Sequence, residues 1–231
     1  LVALVHAETS TGALQPLNRI ADLVHKQGGL FLIDCVTSLG GIPVNIDDHK
    51  VDIAYSGTQK CLSCPPGLAP LTVSDRARNV LRERKTKVKN WYLDLSLVEH
   101  YWGDERTYHH TAPISMNFAL REALRLIYEE GLENRYQRHR DHAEMLWQGL
   151  QDLGFELHVP EKTRLPVLTT VRIPPEIQDA EIRRRLLAEY NIEIAGGLGS
   201  LAGKVWRIGL MGYSSRKENV ALFLRALEDL L

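Results

Sequence analysis

Apolar positions in the first third of the chain come in short unbroken runs, the pattern of strands buried on both faces. Residues 1–5, 30–33 and 51–55 read as three such strands, each followed by polar or glycine-containing residues. Between the first two, Leu17, Ile20, Ala21 and Val24 recur at helical spacing, and Gly28-Gly29 ends that helix. Residues 68–73, after the turn Pro65-Pro66-Gly67, read as a further strand, and Ser74-Asp75 opens a basic helix over 76–84. A polar break at 108–113 precedes a long helical stretch in which Leu120, Leu124 and Ile127 keep one apolar face. The helical pattern resumes over 132–153 and reads as one bent helix with Gly131 inside it. After Gly154 the pattern changes: 155–159, 167–173, 192–195 and 205–208 read as strands, 180–190 and 218–230 as helices.

Strand–helix alternation followed by this second regime predicts an α/β fold, a mostly parallel sheet with flanking helices plus a smaller C-terminal α+β domain. The boundary is expected in the long helix near residue 140, dividing the chain into 1–140 and 141–231. No internal repeat or low-complexity segment is present.

Composition narrows the function classes. At 231 residues, with 44% hydrophobic and 25% charged positions, the chain reads as an ordinary soluble globular protein with enough residues for a substantial core. Twenty-eight Lys+Arg against 29 Asp+Glu give a net charge of -1, so no global field draws nucleic acid or an anionic membrane. The cation-rich run 82–89 reads as a solvated surface rather than a nucleic-acid patch. Cys35, Cys61 and Cys64 are sparse and odd in number, which points to a reducing compartment. Cys61 and Cys64 have CxxC spacing, yet no second pair or His motif completes a four-ligand set, so no metal is expected. No run approaches the ~20 apolar residues of a membrane span. Residues 1–5 are too short for a signal sequence and lack a basic flank. The default expectation is a cytoplasmic protein whose sequence here, lacking an initiating Met, begins inside a domain.

Candidate chemistry concentrates at strand ends. Asp34 closes the second strand, and Lys60 follows the third through the polar loop Ser56-Gly57-Thr58-Gln59. Such a pair suits a cofactor aldehyde held by the lysine as a Schiff base, with the carboxylate opposite a protonated ring nitrogen. Taken singly, Lys60 reads more readily as an exposed lysine after a strand and Asp34 equally as a helix cap or hydroxyl ligand; the two together at sequential strand ends favour the cofactor reading. Arg207 sits between Trp206 and Ile208 in an apolar run, where a buried anion partner is expected. The His109-His110 pair reads as a structural loop. Gly196-Gly197-Leu198-Gly199 lacks the strand–GxGxxG–helix context of a phosphate loop and reads as a flexible turn.

The runs VHAETSTG, LFLIDCVTSLGG, DIAYSGTQK, PPG, YHHT and VWRIGLMG stand in this order across essentially the whole chain. Together they resemble the alanine–glyoxylate / serine–pyruvate aminotransferase family, class V, fold-type I pyridoxal-phosphate enzymes. The resemblance implies pyridoxal 5'-phosphate as cofactor and ping-pong transamination between alanine or serine and glyoxylate or pyruvate. Lys60 would carry the cofactor and later move the substrate Cα proton, and Asp34 would keep the ring nitrogen protonated. Val36 would pack beneath the ring, Gln59 would bind the phosphate, and Thr9, where family members often carry serine, would contact the ring-hydroxyl side. Arg207 would clamp the substrate carboxylate as a planar fork, near the glycine turn. Tyr108 and Thr111 would reach the phosphate in a partner subunit, making a homodimer part of the mechanism. The family's N-terminal part, with its phosphate loop and ring-stacking aromatic, precedes the first residue here, so a partial sequence is expected.

Other class V activities stay open. Phosphonate- and phosphoserine-type transaminases differ in loops that set donor choice. A cysteine desulfurase would need a cysteine after Cys64 and usually a histidine at the position of Gln59. A cofactor-binding fragment without turnover is the alternative from another class.

Overall fold

The computed structural model describes residues 1–231. In chain order it contains β1 (Val2–Val5), β2 (Ala7–Glu8), β3 (Ala13–Leu14), α1 (Ile20–Lys26), β4 (Phe31–Asp34), β5 (Ile53–Tyr55) and β6 (Leu71–Val73). There follow α2 (Asp75–Arg82), α3 (Leu95–Trp102), α4 (Ile114–Glu130) and α5 (Leu132–Asp152). The chain ends with β7 (Leu168–Arg172), α6 (Asp179–Tyr190), β8 (Ala195–Gly196), β9 (Val205–Gly209) and α7 (Lys217–Leu230).

The first sheet has the order β1-β4-β5-β6, with β1, β4 and β5 parallel and β6 antiparallel at the edge. Val5 lies opposite Asp34, and Asp34 opposite Tyr55, so the carboxyl ends of the three parallel strands are flush. In β4, Phe31 and Ile33 are fully buried while Leu32 and Asp34 are half-buried. The buried pair packs on Ala21 and Val24 of α1, contributing roughly 1.5–3 kcal/mol per large side chain. Helix α2 starts where expected because the Ser74 hydroxyl accepts the Ala77 N–H at 3.2 Å.

The second sheet, β7-β9-β8, is antiparallel. Its core gathers Leu146 and Leu150 of α5, Ile182 and Leu186 of α6, Trp206 of β9 and Phe223 of α7. Trp206 is fully buried and its indole N–H donates to Asp179 at 2.9 Å, which satisfies the one polar atom of that ring. A smaller cluster of Ala7, Ile42, Cys61, Leu165, Val167 and Leu168 joins the two cores beneath the loops of the first sheet.

Several expectations are corrected. Strand β1 forms and pairs with β4 in parallel, with Val2 and Val5 each 41% exposed. The long helix is two helices, since Gly131 at φ +80° and ψ 139° ends α4 and opens α5. Residues 155–159 are not a ladder strand: Leu157 makes a single bridge with Val171. The strand expected at 192–195 shrinks to Ala195–Gly196. On α4, Leu124 is half exposed and burial falls on Ala123 and Ile127. No helix is long and apolar enough to cross a membrane.

Candidate active site

The flush ends of β1, β4 and β5 place three loops on one edge, the position where open parallel sheets bind ligands. Asp34 ends β4 with its carboxylate fixed at both oxygens. Oδ1 accepts the Val36 N–H at 2.8 Å and Oδ2 accepts the Tyr55 hydroxyl at 2.7 Å. That hydrogen bond to a carboxylate pushes the Tyr55 phenol up to about 12, with burial adding to it. Val36 is half-buried directly after this turn. Sequence reading treated Tyr55 only as a strand residue. Its register opposite Asp34 is what gives the hydroxyl a role.

Lys60 lies on the loop after β5 and is half-buried, with no carboxylate within ion-pair distance and no hydrogen-bond partner on its amine in this chain. The loop itself is well tied. Thr58 donates its hydroxyl to Pro65 O at 2.7 Å and accepts the Cys64 N–H at 3.0 Å. Cys61, fully buried, donates its thiol to Thr37 O at 3.2 Å, which links the residue after Lys60 to the loop after Asp34. Burial pushes that thiol up to about 12, so it stays protonated and acts as a donor. Gln59, beside Lys60, is exposed.

His6 follows β1 and supports the same edge. Its N–H donates to Asp34 O at 2.9 Å, and its ring shares a 2.9 Å hydrogen bond with Ser38. Burial, with a smaller contribution from His49, lowers its pKa to about 4, so the ring is neutral.

Arg207 reaches this edge from β9 of the second sheet. Its Nε donates to Gly196 O at 2.8 Å and Nη1 to Thr9 O at 3.1 Å. No carboxylate of this chain pairs with Arg207, where a buried anion partner is expected, and Nη2 has no acceptor. The glycine run near Arg207 forms β8 and the turn after it, so its backbone carbonyl holds the clamp. The Thr9 side chain, half-buried, shares a loop with that acceptor carbonyl.

Tyr108 and Thr111 bond each other, hydroxyl to hydroxyl, at 2.7 Å, and both are exposed. No hydrogen bond of the chain ties them to the Asp34–Lys60 edge. His109, beside them, is buried, stacked on Trp91 with ring centroids 4.0 Å apart, which is the structural role expected for the pair.

A second group escaped sequence reading. Arg135 and His139 of α5, both buried, and half-buried Glu130 at the end of α4 form a polar layer under the lysine loop. The spacing 135, 139, 143, 146, 150 is the buried stripe of α5, so their inward direction was available from the sequence.

These residues could hold an aldehyde cofactor. Lys60 offers an unpaired amine, Asp34 a fixed carboxylate, and Arg207 an unpartnered guanidinium nitrogen at one sheet edge. The sequence matches the Aminotransferase class-V family over residues 1–223. The (S)-ureidoglycine–glyoxylate transaminase of Bacillus subtilis (strain 168) is 43% identical over 100% of this chain and 60% of its own length. The alanine–glyoxylate aminotransferase of Oryctolagus cuniculus is 44% identical over 100% of this chain and 60% of its own. The crystal structure of alanine–glyoxylate aminotransferase from Nostoc sp. superposes with a TM-score of 0.96 at 57% identity, covering 99% of this chain and 60% of that one. The chain thus spans about 60% of the length of the relatives it matches. Its architecture is that of the fold-type I transferases, and the chain belongs to the class-V aminotransferase family.

Proposed function

We propose that the chain carries the lysine and carboxylate of a pyridoxal-phosphate-dependent aminotransferase that passes an amino group from a small amino acid to a 2-oxo acid. Alanine or serine as donor and glyoxylate or pyruvate as acceptor fit best. The observation that carries this reading is the convergence of Lys60, Asp34 and Arg207 on one sheet edge from three separate segments.

When bound, pyridoxal phosphate supplies an aldehyde for amine exchange and a ring that delocalises the electrons left on Cα. Lys60 would hold the aldehyde group through its amine, and that amine would take and return the proton of the substrate Cα. The Asp34 carboxylate, whose orientation the Tyr55 and Val36 donors fix, would pair with the ring nitrogen and favour its protonated form by charge. Val36 would lie beneath the ring, Gln59 would bind the phosphate, and Thr9 would contact the ring-hydroxyl side. Arg207 orients the substrate carboxylate through its free Nη2. Tyr108 and Thr111, exposed and untied to their own edge, suit contact with the phosphate held by a second copy in a homodimer. The proposed division is a cofactor-binding unit over 1–140 and a substrate-clamping unit over 141–231. Three buried free cysteines suit a reducing, cytoplasmic setting.

A second reading changes only the donor. The Bacillus subtilis relative takes ureidoglycine with glyoxylate at 43% identity, and Arg207 recognises a carboxylate that every such donor shares. The test is pyruvate formation from alanine plus glyoxylate by the full protein, followed by borohydride reduction and peptide mapping. Pyruvate production with the label on Lys60, both lost in Lys60→Ala, supports the reading. Turnover that survives Lys60→Ala would sink it, and activity with ureidoglycine alone would favour the second donor.

A further inference from the structure

We propose that Arg135 is a positioning residue that clamps the lysine loop to the loop following Asp34 and, through Glu130, Arg138 and His139, holds both against the turn that follows the Arg207 strand. This rests on the reading of Lys60 as the cofactor anchor.

The Arg135 guanidinium is buried and each of its nitrogens has a different acceptor. Nε donates to Gly40 O at 2.8 Å, Nη2 to Cys61 O at 2.6 Å and Nη1 to Glu130 at 2.7 Å. Gly40 belongs to the segment leaving Asp34, and Cys61 follows Lys60 directly. A rigid planar fork therefore sets the spacing of the two loops that carry the candidate chemistry, which a single-point cation cannot do.

Glu130 passes the constraint on. Its second oxygen accepts from Arg138, which donates to Gly212 O at 3.0 Å and Ser215 O at 2.6 Å. Burial alone would raise the Glu130 carboxyl, yet Arg138 and Arg135 outweigh it and hold the group below its usual range. His139 closes the circuit by donating from Nδ1 to Arg135 O at 2.7 Å while its Nε2 accepts the Gly212 N–H at 2.9 Å. Both bonds together require the neutral ring, and burial lowers its pKa to about 4.

Gly212 is where the two sheets meet through this layer. It has φ +59°, and a Cβ there would stand 1.8 Å from Ser63 Oγ and 2.7 Å from Cys61 O. The next residue donates its N–H to Ser63 Oγ at 2.8 Å. The turn after β9 thus rests on the lysine loop itself, and the spacing between Lys60 and Arg207 is set here rather than by either sheet.

The experiment compares Arg135→Lys, which keeps charge and stem but loses the fork, with Glu130→Gln, which keeps shape, in the full protein. Arg125→Ala, at an exposed ion pair on α4, is the control. Backbone hydrogen exchange is followed without added cofactor, and the absorbance of the Lys60 adduct is titrated with pyridoxal phosphate and with pH. Both test variants should raise exchange roughly tenfold over 36–41, 60–64 and 211–215 while leaving α6 and β7 unchanged. The adduct band of Arg135→Lys should move its pH midpoint up by roughly half a unit, because a loosened loop admits water that favours the charged form. The half-saturating pyridoxal phosphate should rise roughly tenfold, since the anchor is no longer pre-positioned. Exchange confined to the α4–α5 junction, or a wild-type midpoint and half-saturation in Arg135→Lys, would overturn the proposal. Failure of wild type to take pyridoxal phosphate on Lys60 would instead strike the functional reading, and the exchange data alone would then decide the clamp.

Discussion

His6 and His139 make the fold acid-sensitive well above the range where carboxylates titrate. Both are buried, and burial lowers both from 6.5 to about 4. In the folded state they bind fewer protons than in the unfolded chain throughout that window. Their contribution is therefore complete above pH 6.5 and is lost as pH falls towards 4. Near pH 5 the unfolded imidazoles are almost fully charged and the folded ones mostly neutral, a loss of ~2 kcal/mol for each relative to pH 7.5. The pair together lose ~4 kcal/mol, a large share of the 5–15 kcal/mol that holds most domains folded. The groups around them do not cancel this: His6 faces Ser38 and His49, while His139 faces Arg135, Arg138 and Glu130. Glu130, held below its usual range, costs stability only at lower pH still, as acid falls through its folded value. Urea unfolding followed by tryptophan fluorescence near pH 7.5, 6 and 5 measures the effect. Wild type should lose ~4 kcal/mol across the range, and His139→Gln, which retains a donor and an acceptor, should lose about half of that slope. A wild-type loss below ~1 kcal/mol, or an unchanged slope in both His6→Gln and His139→Gln, would refute the reasoning.

Asp34→Asn removes the charge that holds the Tyr55 proton. The phenol should fall from about 12 towards 10, read as tyrosinate absorbance, and a wild-type protein in which every tyrosine titrates near 10 would contradict the contact. Arg207→Lys keeps a cation but not the fork, so the half-saturating amino acid should rise at least roughly tenfold with little change in melting temperature. An unchanged value would remove Arg207 from the substrate carboxylate. Gly212→Ala forces a Cβ into Ser63 at a left-handed φ and should cost about 2–4 kcal/mol, with part returned by adding Ser63→Gly. Full stability in the single variant would mean that this turn does not sit on the lysine loop.

Asp34 and Arg207 were conspicuous as candidates because each stands at the end of, or inside, an apolar run, whereas Lys60, past the polar residues 56–59, stood out only together with Asp34 and through the family resemblance. What covers a run was not legible. Residues 1–5 are as apolar as 30–33 and pair with them in register, but hydropathy alone does not give the order of strands in a sheet. At 155–159 the alternation was read correctly in one sense: Phe155, Leu157 and Val159 are buried, and Glu156 is exposed. The backbone bonds to β7 through His158 N–H to Thr170 O and Arg172 N–H to Glu156 O, but only one bridge forms. Side-chain period thus reports burial, while a strand requires a matched partner over several residues. The hairpin of β2 and β3 was missed because two-residue strands have no period to detect.

The polar layer under Lys60 was hidden for a different reason. Arg135 lies on the buried stripe of α5, but its acceptors on Gly40 and Cys61 are backbone carbonyls 95 and 74 positions away. A carbonyl carries no residue identity, so no pattern in the sequence marks it as a partner. A buried guanidinium is tolerated only where such acceptors are already arranged, and leaving one of them unmade costs more than making it gains. The candidate side chains are therefore readable from their places at strand ends taken together. The residues that space them apart become readable only when a charged position on an apolar stripe is taken as evidence for an unseen backbone acceptor, rather than as a solvated exception.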